Sequence, residues 1–497
     1  MNSLQQQQQP KTIQELMSGN PLIDAFMGGG PPLPRQQHPE AKVEAMLASI
    51  DESDDIEGLV SALHTDLKAI RIGTSSTRSY DVENENDHEE DQTKNQVHLD
   101  MLAARLARIK SLMYNERTET PSFARSFFSS SHESCAASDL LQSLLLNDER
   151  KTIFPNLLSS LQMIPFEARK DAASIFNYLL VCGCVLNESD QNIDEDRERV
   201  SSELYTKTMI GFVNYVDEYY EQIMRPIVQG HYLGDFPPNS SSSCDEIKQK
   251  QDANVDTETE VPTTPQPLKT VDVALHCGGM LRSTLRHPKL YSNLVTESNT
   301  PTFIFPFLDI FPTQANFEVA SDALESLRLI LSPPQSSTTP TSTPTLSDNL
   351  ESSVEIFAAS FLEREYDPIF RRQFNKLLSA EHANYITRRV SLQILSTILL
   401  TRTNYNVMIK YISDRSNLKT IMMLLRDSSA HITLEAFNVF KIFVVNPNKP
   451  EEIVRILADN KVKLVKYLTG LHQEKEKIDE QFKDEKTLVI STLQQLE

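Results

Sequence analysis

The residues best able to do chemistry in this 497-residue chain are eleven histidines, five cysteines and 69 carboxylates. Their spacing decides whether they can cooperate. Zinc hydrolysis needs two histidines one helical turn apart. Acyl transfer needs a serine on a tight Gly-x-Ser-x-Gly turn, and nucleotide chemistry needs a Gly-rich loop with its lysine. None of these patterns occurs, nor does a kinase catalytic loop. His276 beside Cys277 offers two adjacent ligands, too few for a tetrahedral metal site, and reads as an ordinary helix dipeptide. Asp190-Gln-Asn-Ile-Asp194 opens like a calcium loop. Its sixth position is Glu195 instead of Gly and its twelfth is Ser201 instead of Glu, so the sharp turn and the bidentate ligand are missing. The cysteines (Cys135, Cys182, Cys184, Cys244, Cys277) are odd in number and show no Cys-x-x-Cys pairing. In a reducing compartment they read as small buried hydrophobes or idle thiols. The chain is expected to be cytoplasmic, to hold no metal or cofactor, and not to be an enzyme.

The elements behind these residues are helical. Only 13 residues are Gly, well under the usual ~7%, too few for a dinucleotide-binding sheet or a turn-rich β-sandwich. A net charge of −21 disfavours nucleic acid or an anionic membrane as partner, and no apolar run reaches the ~20 residues of a membrane span. Polar, acidic or Ser/Thr/Pro-rich composition marks a tail, residues 1–40, and inserts at about 74–98, 187–198, 232–269 and 332–353 that cannot bury enough apolar area to order themselves. In the first insert, Asp81 to Asp91 holds seven acids in eleven residues and reads as a solvated spacer. Ser332-Pro333, Thr264-Pro265, Thr339-Pro340 and Thr343-Pro344 have the form of proline-directed phosphorylation sites. Between the inserts one pattern returns: a small residue, an apolar pair three and four places on, and another apolar residue three later. It occurs at Ala172/Ile175-Phe176/Leu179, Ala320/Ala323-Leu324/Leu327, Ser391/Ile394-Leu395/Ile398 and Ala436/Val439-Phe440/Phe443, with a weaker copy at Ala274/Cys277/Leu281. The copies lie about 45–52 residues apart once the inserts are set aside, close to the ~40–47 of HEAT and armadillo repeats. An all-α, right-handed α-solenoid over residues 41–497 follows.

Longer words carry a resemblance. Asn384-Tyr-Ile-Thr-Arg-Arg-Val-Ser-Leu392, Asn417-Leu-Lys419 with Met422 and Leu424-Leu-Arg-Asp427, Glu435-Ala-Phe-Asn-Val-Phe-Lys-Ile-Phe-Val-Val-Asn-Pro-Asn-Lys449 and Gln481-Phe-Lys-Asp-Glu-Lys486 are similar to the calcium-binding protein 39 family, the Mo25-like scaffolds. The likeness continues upstream in Phe317-Glu-Val-Ala-Ser-Asp322, Cys277-Gly-Gly-Met-Leu-Arg282 and Phe166-Glu-Ala-Arg-Lys-Asp171. It implies a rod of repeats whose concave face holds a STE20-type kinase or pseudokinase in its active conformation, with an upstream or NDR-type kinase in the complex in some lineages and a role in cell polarity or morphogenesis. It also implies a pocket near the C-terminal end for the partner's Trp-Glu-Phe-like tail, and no calcium chemistry.

Carried over by position, the resemblance assigns Phe317 and Arg389 to the kinase-binding face, and Arg402, Lys419 and Met422 to the surroundings of the tail pocket. Where relatives often carry a lysine near that pocket, this chain has Asp459, with Lys461 as a possible substitute. These residue types suit an interface: Phe and Arg as anchors, Met as an adaptable wall, cations for a carboxylate. Each also has a plainer reading, Phe317 as a helix staple, Met422 as core and Arg389 as a solvated arginine. The competing function is an importin-type cargo adaptor, which would want acidic residues and Asn/Trp ladders in its groove; Trp is absent.

Overall fold

A computed structural model describes residues 39–51, 53–76, 85–118, 136–181, 195–233, 268–310, 316–333 and 346–496. Two units are distinguished, residues 1–49 and 50–497. The described part of the first belongs to helix α1 (Pro39–Asp51). The second runs through α2 (Ile56–Ser76), α3 (Glu85–Thr118), α4 (Ala136–Leu145), α5 (Ile153–Ser159), α6 (Phe166–Val181), α7 (Glu195–Glu218), α8 (Tyr220–Leu233), α9 (Leu268–Thr284), α10 (Pro288–Leu294) and α11 (Phe305–Ile310). It continues with α12 (Phe317–Leu331), α13 (Leu346–Arg364), α14 (Asn375–Leu378), α15 (Tyr385–Leu400), α16 (Tyr405–Ile412), α17 (Arg415–Leu424), α18 (Ala430–Val445), α19 (Glu451–Gly470), α20 (Gln473–Glu476) and α21 (Glu480–Gln494). No strand occurs among the described residues.

This unit is a helical-repeat solenoid, and its spine is a ladder. Helices α3, α6, α9, α12, α15, α18 and α21 each pack on the next, while α4, α7, α10, α13 and α16 form a second series in which each also packs on the next. The recurring sequence pattern falls on the five central ladder helices. Ala172, Ala274, Ser391 and Ala436 are buried where neighbouring helices meet, and the flanking pairs, Ile175 with Phe176, Ile394 with Leu395 and Val439 with Phe440, fill the core. A small residue lets two helix axes approach, and the pair beside it plugs the space on either side. Ala320 of α12 is the exception, only half-buried. The ladder helices run in one direction: Arg388 near the start of α15 reaches Asp427 just before α18, and Gln393 further along bonds Glu435 further along.

Helix start sites are set by side-chain caps. Asn384 Oδ1 accepts the Thr387 N–H at 2.8 Å ahead of α15, and Asp479 Oδ1 accepts the Phe482 N–H at 2.9 Å ahead of α21. At the other end, buried Lys486 of α21 donates to the Leu471 and Thr469 carbonyls (2.8 and 3.2 Å) and pairs with Glu476 (2.6 Å), closing the C-terminus of α19.

The insert boundaries differ from the sequence reading. Helix α3 begins at Glu85, inside the stretch read as an acidic spacer, and continues to Thr118. Glu, Gln and Lys are good helix formers and acids suit a helix start, so acidity alone did not exclude a helix. Helices α7, α9 and α13 likewise start inside the 187–198, 232–269 and 332–353 stretches, and α8 ends at Leu233. The remaining parts of these stretches, residues 1–38 of the tail, the calcium-loop-like segment up to Asp194, Thr264, Thr339 and Thr343 lie outside the described residues. Ser332 is described and buried, its N–H bonded to the Arg328 carbonyl at the end of α12, which does not suit an open phosphorylation site.

Candidate partner-binding face

Asn316 caps α12, its side chain accepting the Glu318 and Val319 N–H groups at 2.9 and 3.2 Å. That cap fixes Phe317 in the first turn with its ring 65% exposed, so it is not a buried staple. Arg389 lies on the neighbouring ladder helix α15. Its predecessor Arg388 forms an ion pair with Asp427 at 2.8 Å and is committed to the fold. Arg389 is half-buried, and its Nε is buried without a hydrogen-bond partner.

The interface between these two helices is also unlike the others. Lys110–Asp171 (2.7 Å) joins α3 to α6, Arg169–Asp272 (3.9 Å) joins α6 to α9, and Arg282–Asp322 (2.7 Å) joins α9 to α12. Gln393–Glu435 and Lys441–Glu485 (both 2.7 Å) join α15 to α18 and α18 to α21. Among the described residues no hydrogen bond or ion pair joins α12 to α15. The exposed aromatic and the unpaired guanidinium flank the one rung without a polar link.

Lys419 and Met422 share a face of α17, three residues apart, with Arg415 one turn earlier. Lys419 is exposed and Met422 half-buried, beside a Met423 that is 68% exposed. A methionine flanked by cations can take an apolar side chain together with a carboxylate. Arg402 is exposed on the single turn Arg402–Asn404 after α15, apart from that helix face. Asp459 is exposed on α19, and Lys461 donates to the Leu496 carbonyl at 2.6 Å. The sequence words contain exposed Tyr385, at the start of α15, and Met423 without marking either; only their place beside Arg389 and Met422 points to them.

Cys277 is fully buried and its thiol pKa is pushed up by burial. The His276 ring meets the Phe166 ring edge-on at 5.8 Å, and its Nδ1 lies 2.6 Å from the Asp272 carbonyl oxygen. Among the described residues no group of three or more His, Cys, Asp or Glu is placed to hold a metal ion, and no helix is long and apolar enough to cross a membrane.

A family model described as Mo25-like matches residues 59–340 and 337–497. The Mo25-like protein of Schizosaccharomyces pombe is 40% identical over 225 residues, 45% of this chain and 60% of that protein. Calcium-binding protein 39-like of Mus musculus is 38% identical over 224 residues, 45% of this chain and 58% of its own length. The degreening-related gene dee76 protein of Auxenochlorella protothecoides is 38% identical over 222 residues, 45% of this chain and 60% of that protein. The chain thus spans about three fifths of the length of the curated relatives it matches.

Proposed function

Because this chain belongs to the Mo25-like family, we propose that it is a non-catalytic cytoplasmic scaffold that binds a STE20-type serine/threonine kinase or pseudokinase and activates it allosterically, in signalling for cell polarity or morphogenesis. Activation by a scaffold requires that it bind the active conformation more tightly than the inactive one. The observation that carries this reading is exposed Phe317 on α12 together with unpaired Arg389, its Nε buried, on the neighbouring ladder helix α15. Exposed aromatics and arginines already stripped of part of their water are the residue types from which hot spots are built. Lys419 and Met422, with Arg402 nearby in sequence, are assigned to the partner's C-terminal Trp-Glu-Phe-like tail. An upstream or NDR-type kinase joins the complex.

The test is affinity capture from cell extract followed by mass spectrometry and by titration with the recovered kinase. Wild type is expected to retain a STE20-type kinase or pseudokinase. Phe317→Ala with Arg389→Ala should weaken the complex by more than about tenfold, with the melting temperature of the scaffold nearly unchanged because Phe317 touches little of the core. Recovery of no such kinase, or full activation by the double variant, sinks the reading.

A further inference from the structure

Three of the six exposed aromatic side chains among the described residues are the first residue of a ladder helix: Phe166 of α6, Phe317 of α12 and Tyr385 of α15. A single exposed aromatic is ordinary surface, but the same placement on helices of one ladder is not. The rungs set these starts along one edge. Arg169 approaches Asp272 near the start of α9, and further along a Cβ built at Gly279 would lie 3.9 Å from Asn177 Nδ2, so α6 and α9 run in parallel. Gly278 abuts Asp322, and Arg282 reaches Ser326, so α9 and α12 do too. In that register Phe317 stands level with Val273, and Phe166 about one turn to the N-terminal side.

Phe166 has a companion. The half-buried His276 ring meets it edge-on at 5.8 Å, and His276 Nδ1 lies 2.6 Å from the Asp272 carbonyl oxygen. A carbonyl only accepts, so Nδ1 carries the proton and Nε2 of the neutral ring is left as an acceptor. Among the described residues nothing donates to Nε2. Arg169, three positions after Phe166, is buried and leaves the surface to the two rings. An exposed apolar ring beside an open acceptor suits an apolar side chain together with an N–H or O–H donor. Neighbouring helices pack about 8–10 Å apart, so Phe166, Phe317 and Arg389 span three rungs, roughly 24–30 Å. A folded domain of about 250 residues has a radius of gyration of about 18 Å, and its width exceeds that span.

We propose that Phe166 and His276 form a second anchor, on the α6–α9 rung, for the same kinase-sized partner that covers Phe317 and Arg389. An apolar side chain of the partner packs on the Phe166 ring, and a donor beside it meets His276 Nε2. The proposal rests on the kinase-scaffold reading and extends its contact toward the N-terminal end of the ladder. A short peptide would engage one anchor; a folded domain reaches both.

Titration of the captured STE20-type kinase or pseudokinase against the full chain tests it. Phe166→Ala is expected to weaken binding about tenfold or more, and His276→Ala about threefold or more. Ile210→Ala, which trims an exposed side chain of α7 outside both anchors, should bind as wild type does. Hydroxyl-radical footprinting of the wild-type complex needs no variant: Phe166 should lose reactivity on binding as Phe317 does. If Phe166→Ala lowers the melting temperature, the footprint decides. Binding weakened by Phe317→Ala but indifferent to Phe166→Ala, or a Phe166 ring as reactive in the complex as in the free chain while Phe317 is protected, overturns this proposal and leaves the kinase-scaffold reading standing. Capture of no such kinase overturns both.

Discussion

Burial holds the His231 imidazole near a pKa of about 4, against the raising effects of Asp322 and the Ala274 carbonyl. The ring is fully enclosed between α8, α9 and α12, Nδ1 3.0 Å from the Ala274 oxygen and Nε2 2.9 Å from Ser326 Oγ, with Asp322 held by Arg282 at 2.7 Å. His287 is likewise lowered to about 4, chiefly by burial. Both stay neutral in the fold where the unfolded chain, with an ordinary value near 6.5, takes up protons. The unfolded state therefore binds more protons between pH 6.5 and 4, and stability falls as pH drops through that window, by roughly 3 kcal/mol for each histidine. Thermal melts at stepped pH should show a shallower slope in His231→Gln than in wild type; equal slopes would refute the assignment. Gly278 abuts the same cluster. A Cβ there would overlap Asp322 Oδ2 and sit 2.6 Å from His231 Cε1, so Gly278→Ala should cost about 1–3 kcal/mol by overpacking, measurable by urea denaturation. Glycine is used here for close approach, not for a left-handed turn. Which arginine is free was not legible locally: Arg388 and Arg389 are adjacent and alike, and only Asp427, 38 positions beyond Arg389, distinguishes them. The family words supplied Phe317 and Arg389; composition and spacing did not.

At the scale of elements, the ladder was readable where each helix has a ladder neighbour on both sides. Ala172, Ala274, Ser391 and Ala436 recur because two helices must pass close to one another. The end helices α3 and α21 have a ladder neighbour on one side only and carry no such signature. In α21 a lysine even occupies a core position, since buried Lys486 is the C-terminal clasp of α19. Lys486→Met keeps the volume but removes the bonds to the Leu471 and Thr469 carbonyls and orphans Glu476, which should cost about 3 kcal/mol. Because the clasp is local, hydrogen exchange should rise first at the end of α19 and over α20, with α15 protected as before. Uniform acceleration across the ladder would contradict a local clasp.

At the scale of the whole chain, the solenoid divides at one joint. In sequence the two Mo25-like matches meet at residues 337–340. In structure α12 and α15 lack the polar link that the other ladder pairs have, and Ala320, the small residue of that rung, is only half-buried. In charge, residues 385–497 are net basic while the whole is −21. The second series bridges the joint through α13 on α10, where Arg364 donates to the Val295 carbonyl. In a repeat protein stability is close to a sum of neighbour terms, so the weakest interface decides where cooperativity breaks. Under increasing urea, hydrogen-exchange mass spectrometry should resolve a state in which peptides on one side of residues 334–345 are exchanged and those on the other are still protected. Arg364→Ala, by loosening the remaining bridge, should populate that state at lower urea. A bound partner spanning Phe317 and Arg389 would clamp both sides of the joint, and its addition should merge the two transitions into one. If peptides from α6 and α18 exchange together at every urea concentration, with and without Arg364, the joint does not exist.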